Sequence, residues 1–244
     1  MSDLWDALRG RTSARIGLGR AGDSLPTERV LEFAAAHAAA RDAVHQPLDA
    51  GGLAKELESV GLGEPLVVTS RAADRGEYLR RPDLGRAPGD LSRIPHAGGD
   101  VGIMFADGLS PVAVAEHAYG LLMALTDVLG ERYSIAPPVI ATQARVALGD
   151  HVGAALGVDT IIVVIGERPG LSVADSLGVY LTHGPRPGRA DADRNCVSNI
   201  HPPGGLDYAT AARVTAALVA GARQLGRSGV DLKDNSRAIT PPPE

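Results

Sequence analysis

Thr160-Ile161-Ile162-Val163-Val164-Ile165-Gly166-Glu167-Arg168-Pro169-Gly170 is the stretch that decides the fold. An unbroken run of β-branched residues over 160–165, with no polar alternation, is the signature of a strand buried on both faces. Gly166, Pro169 and Gly170 then stop it sharply. A strand covered on both sides needs helices above and below, and the flanking sequence supplies them. Upstream, Val101–Ala106 is a second apolar run of strand length, followed by the turn Asp107-Gly108-Leu109-Ser110-Pro111 and a helical pattern over 112–129. Residues 138–146 read as extended and 150–156 as a short helix; downstream, 176–182 reads as a further strand. Tyr208–Leu225 has the period of a long helix stopped by Gly226. The alternation β-α-β-α-β predicts an α/β domain with a parallel sheet covered by helices.

The first part of the chain reads differently. A helix is expected after Pro26, with Thr27 as N-cap and small or apolar residues at Val30, Ala34, His37, Ala38 and Val44. A second short helix is expected over 53–60, ended by Gly61, then a short extended stretch at Leu66–Thr69 and an Arg-rich, Pro-broken segment over 71–93. Residues 1–92 are therefore expected to form a small, mainly helical domain or arm, and 93–244 the α/β domain. The tail past Lys233, with Pro241-Pro242-Pro243, is expected to be loose.

Composition excludes several classes of function. With 44% apolar residues but only 3% aromatics, the core must be built from Ala, Val, Leu and Ile. A net charge of -5, with acidic and basic residues intermixed, offers no footprint for nucleic acid or an anionic membrane. The N-terminus lacks the apolar run of a secretory signal, and the single cysteine, Cys196, forbids an internal disulfide, so a soluble protein of a reducing compartment is expected. Lys55 and Lys233 are the only lysines, and neither lies in a Gly-rich loop, so there is no P-loop.

The motifs are each weak alone. Gly17-Leu18-Gly19-Arg20-Ala21-Gly22 matches the dinucleotide fingerprint G-x-G-x-x-G, but Arg11-Thr12-Ser13-Ala14-Arg15 cannot be the buried strand which that motif requires. Ser110-Pro111 reads as a helix cap, not a nucleophile elbow. Asp191 and Asp193 read as solvated carboxylates, and no histidine pattern supports a metal. Glu167, just past the carboxyl end of the decisive strand, lies on the edge where α/β sheets bind ligands, although a charged turn there is often merely solvated. Cys196 reads as a small buried thiol. By residues alone, the chain is a binding module or an accessory subunit with no self-contained catalytic set.

Six strings in order resemble the small (light) subunit of ethanolamine ammonia-lyase. They are Ala14 to Gly22, His37 with Arg41-Asp42-Ala43-Val44, Tyr78-Leu79-Arg80-Arg81-Pro82-Asp83-Leu84-Gly85-Arg86, Asp107-Gly108-Leu109-Ser110, Gly166 to Leu171, and Asp193 to Ile200. The resemblance implies a helical N-terminal domain followed by a Rossmann-like domain. It also implies a hetero-oligomer with a large catalytic subunit, and adenosylcobalamin lying between the two chains. The assembled enzyme would convert ethanolamine to acetaldehyde and ammonia by a radical mechanism, with substrate-contacting residues on the large subunit and no catalytic residue or metal ligand here. Family cofactor contacts carry over to Val146 (after Arg145), Glu167 (the acid of Gly-Glu-Arg-Pro-Gly) and Cys196 (before Val197-Ser198-Asn199-Ile200). The D-x-H-x-x-G string that offers histidine to cobalt is absent, so a base-on cofactor is expected. A cytoplasmic location is expected, with residence inside a bacterial microcompartment left open. The longer N-terminal extension linked to bacterial microcompartment packaging is not seen, as the chain starts almost at the first shared motif. The competing readings are a stand-alone nucleotide- or phosphate-binding α/β enzyme and a non-catalytic adaptor.

Overall fold

The structure is a computed structural model that describes residues 2–12 and 14–234; Pro241-Pro242-Pro243 lies outside the described residues. Helices α1 (Ser2–Arg9), α2 (Thr27–His45) and α3 (Ala50–Glu58) precede strand β1 (Leu66–Thr69) and the short helix α4 (Arg75–Arg80). Next come β2 (Val101–Ala106), α5 (Pro111–Leu129), β3 (Val139–Thr142), α6 (Leu148–Leu156), β4 (Thr160–Gly166), β5 (Leu177–His183), β6 (Asn195–Ile200) and α7 (Tyr208–Leu225). They build one six-stranded sheet in the order β1-β3-β2-β4-β5-β6.

The decisive strand is β4, in the interior of the sheet. Its pleat sends Ile162 and Val164 into a core shared with α3, α5 and α7, while Ile161, Val163 and Ile165 pack in the core beneath α6. That double burial is why the run shows no alternation. α6 can lie close because Gly149 and Gly153 face the sheet: a Cβ at Gly149 would come within 2.3 Å of Val163 Cγ2. Among the described residues α5 alone is long and apolar enough to cross a membrane. Its Leu121, Leu122, Leu125 and Leu129 are all buried in the sheet's core, so its hydrophobicity is that of a packed core helix.

Four expectations need correction. The sheet is parallel only from β1 through β3 and β2 to β4; β5 and β6 are antiparallel additions. The connection 167–176 is shorter than the dozen or more residues that a crossover needs, so the chain turns straight back. Second, β1 comes from the segment expected to belong to the N-terminal arm, yet it pairs with β3 as the sheet's outer parallel strand. Third, 138–146 is not extended throughout: β3 ends at Thr142, and Gln143 takes a left-handed φ of 54°. Thr27 is also not the cap of α2; Pro26 holds that position, its carbonyl accepting from the amides of Arg29 and Val30.

The fingerprint-like string 17–22 is a loop between α1 and α2 with no strand before it. Arg9 donates to the Gly17 carbonyl at 2.6 Å, and Arg15 reaches the Leu171 carbonyl at 2.9 Å, tying this segment to the loop after β4. Of α2, only Ala43 is buried, while Leu4, Trp5, Leu8, Val30, Leu31 and Phe33 all show large exposed apolar surface.

Candidate functional site

Asp107, directly after β2, organises the site from beneath. Its side chain is 2% exposed and accepts from the amides of Gln143 (2.7 Å) and Ala144 (2.9 Å), with Arg75 Nη1 at 3.5 Å. Burial pushes this carboxyl above the ordinary carboxylate range, opposed by those two amides and by Arg75. These bonds hold the left-handed turn at Gln143, which swings 144–147 across the end of the sheet to the start of α6. Arg75 is anchored by donating to the carbonyls of Val44 (2.7 Å) and Gly108 (2.8 Å). The Asp107-Gly108-Leu109-Ser110 string thus has a packing role as well as the expected cap. Ser110 Oγ accepts from Ala113 N at 3.2 Å, and Gly108, at φ 56°, could carry no Cβ without meeting Gly166 O at 2.2 Å.

Val146 lies on this turn and lines two adjoining clefts. One, of about 460 Å³, is bounded by Pro82, Arg86, Arg145, Tyr180, Arg194 and Cys196. The other, of about 310 Å³, runs past Gly108, Arg145, Gly166, Glu167 and Tyr180. Arg145, Val146 and Tyr180 belong to both, so the three expected contacts, Val146, Glu167 and Cys196, border one continuous stretch of surface.

Glu167 stands at the carboxyl tip of β4, as its position in the sequence implies. Its Oε2 accepts from Ser176 Oγ (2.5 Å) and from Asn199 N (3.3 Å), which fastens the β4 tip to the end of β6. Cys196 is the second residue of β6, away from the tip of β4, and it departs from expectation in being exposed rather than buried. The cause is the antiparallel return: Cys196 pairs with Tyr180, which pairs with Val163 near the middle of β4. Although the residue is exposed overall, desolvation about the sulfur pushes the thiol up; the Tyr180 hydroxyl hydrogen-bonded to it pulls down, and the Glu167 charge adds to the rise. Burial first, then Cys196 and Glu167, push the Tyr180 phenol up to about 12, so it stays a proton donor at neutral pH.

Sequence reasoning missed Tyr180, Arg86, Arg145 and Arg194. Arg194 is buried and bidentate to Asp150 of α6 (2.7 and 2.8 Å), with Thr182 Oγ1 at 2.9 Å; burial opposes its charge, but Asp150 outweighs that and holds it above its ordinary pKa. A pointer existed: a charged residue directly before an apolar-containing strand, and Asp150 in the first turn of a helix that is otherwise apolar except for His151. Asp191 is exposed and pairs with Arg86 (3.7 Å) and Arg194 (3.5 Å), and Asp193 accepts from the Ala190 amide, so neither forms an acid/base pair. Among the described residues no three His, Cys, Asp or Glu side chains cluster as metal ligands.

The model of the ethanolamine ammonia-lyase light chain (EutC) matches residues 2–233. The chain belongs to this family. It is similar to the ethanolamine ammonia-lyase small subunit of Rhodococcus erythropolis, 69% identical over 236 residues that cover 97% of this chain and 92% of that one. Small subunits from Ralstonia nicotianae and Azotobacter vinelandii are each 48% identical, covering 94% and 95% of this chain and 88% of their own length. Membership of the light-chain family makes the two clefts, rather than any self-contained catalytic set, the surface that needs a functional account.

Proposed function

We propose that this chain is the small subunit of a cytoplasmic ethanolamine ammonia-lyase and forms one wall of its adenosylcobalamin site, the large subunit supplying the opposite wall and the substrate contacts. The observation that carries this reading is the convergence of Val146, Glu167 and Cys196 on one face, around clefts that also hold Arg145 and Tyr180. The donor set fits such a guest: a phenol, a thiol, a carboxylate and guanidinium groups suit a ligand rimmed by amides. The Arg145 side chain borders both clefts, and its buried Nε has no hydrogen-bond partner within the chain. When bound, the cofactor supplies the radical chemistry, and this chain's part is placement and exclusion of water.

Within this reading the Rossmann-like description applies to the parallel β1-β3-β2-β4 half with its helices, and α1 and α2 supply the arm. The exposed apolar residues of α1 and α2 are the surface for the large subunit, since contiguous apolar area marks partner contact. Neither cleft is lined by an imidazole of this chain, so no residue lining them would displace the cofactor's own benzimidazole, in keeping with the base-on expectation.

Co-expression with a large subunit tests the proposal. Ethanolamine deamination should require both chains and the cofactor, and Glu167→Gln should weaken adenosylcobalamin binding to the assembly by roughly tenfold, the worth of one charge-assisted hydrogen bond. Turnover by this chain alone, or unaltered affinity in the variant, would overturn it. A histidine nitrogen coupled to cobalt in the ¹⁵N-histidine-labelled holoenzyme would refute the base-on expectation.

A further inference from the structure

The string Tyr78-Leu79-Arg80-Arg81-Pro82-Asp83-Leu84-Gly85-Arg86 lends Pro82 and Arg86 to the rim of the larger cleft, and its other residues meet Arg145. The Arg145 amide donates to the Gly85 carbonyl at 2.8 Å. The Tyr78 ring, fully buried, carries the Arg145 guanidinium on one side at 4.5 Å and lies against that of Arg75 at 4.9 Å. Tyr78 is itself fixed, its hydroxyl donating to the Ala144 carbonyl at 3.1 Å. Gly85 is required for the fit: a Cβ there would come within 2.8 Å of the Tyr78 ring and 3.0 Å of Arg145 Cγ. Together these contacts fix the position of one guanidinium.

Three arginines line the larger cleft, and two of them are committed. Arg194 is forked onto Asp150, and Arg86 faces Asp191 at 3.7 Å. The Nε atoms of Arg145 and Arg194 are both buried without a hydrogen-bond partner, but of the three only Arg145 has no carboxylate within ion-pair distance among the described residues. Arg168 borders only the smaller cleft and is exposed, so water satisfies it. A partly desolvated cation pre-positioned on an aromatic face, with unspent donors at the seam of two clefts, is a site for an anion.

We infer that Arg145, held by the Tyr78 ring and the Gly85 carbonyl, is a binding residue for the phosphodiester of the cofactor's nucleotide loop. The inference rests on the cofactor reading above and adds a charged subsite to it. Guanidinium suits this task because its fork matches two phosphate oxygens, whereas the neutral amides of the corrin rim need no cation.

The test compares two ligands on the assembled two-subunit enzyme: adenosylcobalamin, and adenosylcobinamide, which lacks the phosphodiester and its nucleotide. Dissociation constants are read by equilibrium dialysis. Arg145→Gln should weaken cobalamin binding by roughly 10- to 100-fold, the worth of a hydrogen bond between charged groups, and leave cobinamide binding within twofold of the unsubstituted enzyme. Arg145→Lys, which keeps the charge but not the fork, should fall between the two, and carries the same contrast should the glutamine variant fail to assemble. Equal loss for both ligands would mean that Arg145 meets the corrin rim or only supports the turn; loss for neither would remove it from the site. Either result overturns the inference. If the unsubstituted assembly binds neither corrinoid, it is the cofactor reading itself that falls.

Discussion

Replacing Asp107 by asparagine should loosen the turn that carries Arg145 and Val146 while leaving the sheet intact. Both carboxylate oxygens are in use: Oδ2 takes the Gln143 amide and faces Arg75, and Oδ1 takes the Ala144 amide. Asparagine keeps the shape but offers one oxygen, so whichever way it sits, an NH₂ group faces a backbone N–H. One charge-assisted hydrogen bond is lost, about 1.5–3 kcal/mol, and one buried donor is left without an acceptor, a further ~1–3 kcal/mol. Relief of the desolvation that raises the Asp107 pKa returns part of this, so a net local cost of about 3 kcal/mol is expected. In hydrogen exchange followed by mass spectrometry on the assembled enzyme, peptides spanning 143–147 should lose protection by roughly 100-fold, with peptides from β2 and β4 unchanged. Cofactor affinity should fall in parallel. Unaltered exchange across 143–147 would show that Asp107 does not hold the turn, and the account of how Arg145 is positioned would fail with it.

Other consequences are simpler to state. Gly108→Ala forces a Cβ into a left-handed backbone and against Gly166 O, so a loss of several kcal/mol, or failure to fold, should appear in the soluble yield of the co-expressed complex, whereas Gly188→Ala, where φ is 93° but no atom lies within 4 Å, should cost only the ~1 kcal/mol of backbone strain. Asp150→Ala leaves Arg194 buried and unpaired and should cost about 3–5 kcal/mol by thermal unfolding, while Asp150→Leu combined with Arg194→Met should recover most of it; equal losses for the single and double variants would contradict a buried pair. Cys196, with its thiol pKa pushed up, should react with iodoacetamide more slowly than a free cysteine at pH 8, accelerate as pH rises, and be shielded by adenosylcobalamin; fast reaction insensitive to the corrinoid would remove it from the cleft. The chain expressed without a partner should self-associate through Leu4, Trp5, Leu8, Val30, Leu31 and Phe33, and a monodisperse monomer in sedimentation velocity would count against that surface.

What could be read in the sequence follows from how locally each feature is encoded. β4 and α7 declare themselves because an apolar run and a 3.6-residue period are properties of adjacent residues, and Ser110-Pro111 caps α5 by contacts within a single turn. Strand β6 was hidden because Asn195-Cys196-Val197-Ser198-Asn199-Ile200 is an edge strand with only Val197 and Ile200 buried, too few apolar residues to set a period. The antiparallel return of β5 depends on connection length, not on residue type. In the candidate site, Glu167 was legible from its place at a strand tip, and Val146 and Cys196 only through resemblance to the family. Arg145 was not legible, because its isolation is a matter of which partners the other arginines took, and that is settled in three dimensions.

A parallel strand arrives with its own helix, since the chain must cross over the sheet to begin again in the same direction. β5 and β6 arrive without one. They widen the sheet on the side of α6 but bring no helix to lie over Tyr180 and Cys196 there. The recess beside α6 is thus created by an economy of connection: two short returns extend a floor and leave it without a ceiling. Any change that lengthened 167–176 or 184–194 enough to lay a helix across that floor would close the recess, even with every lining residue retained.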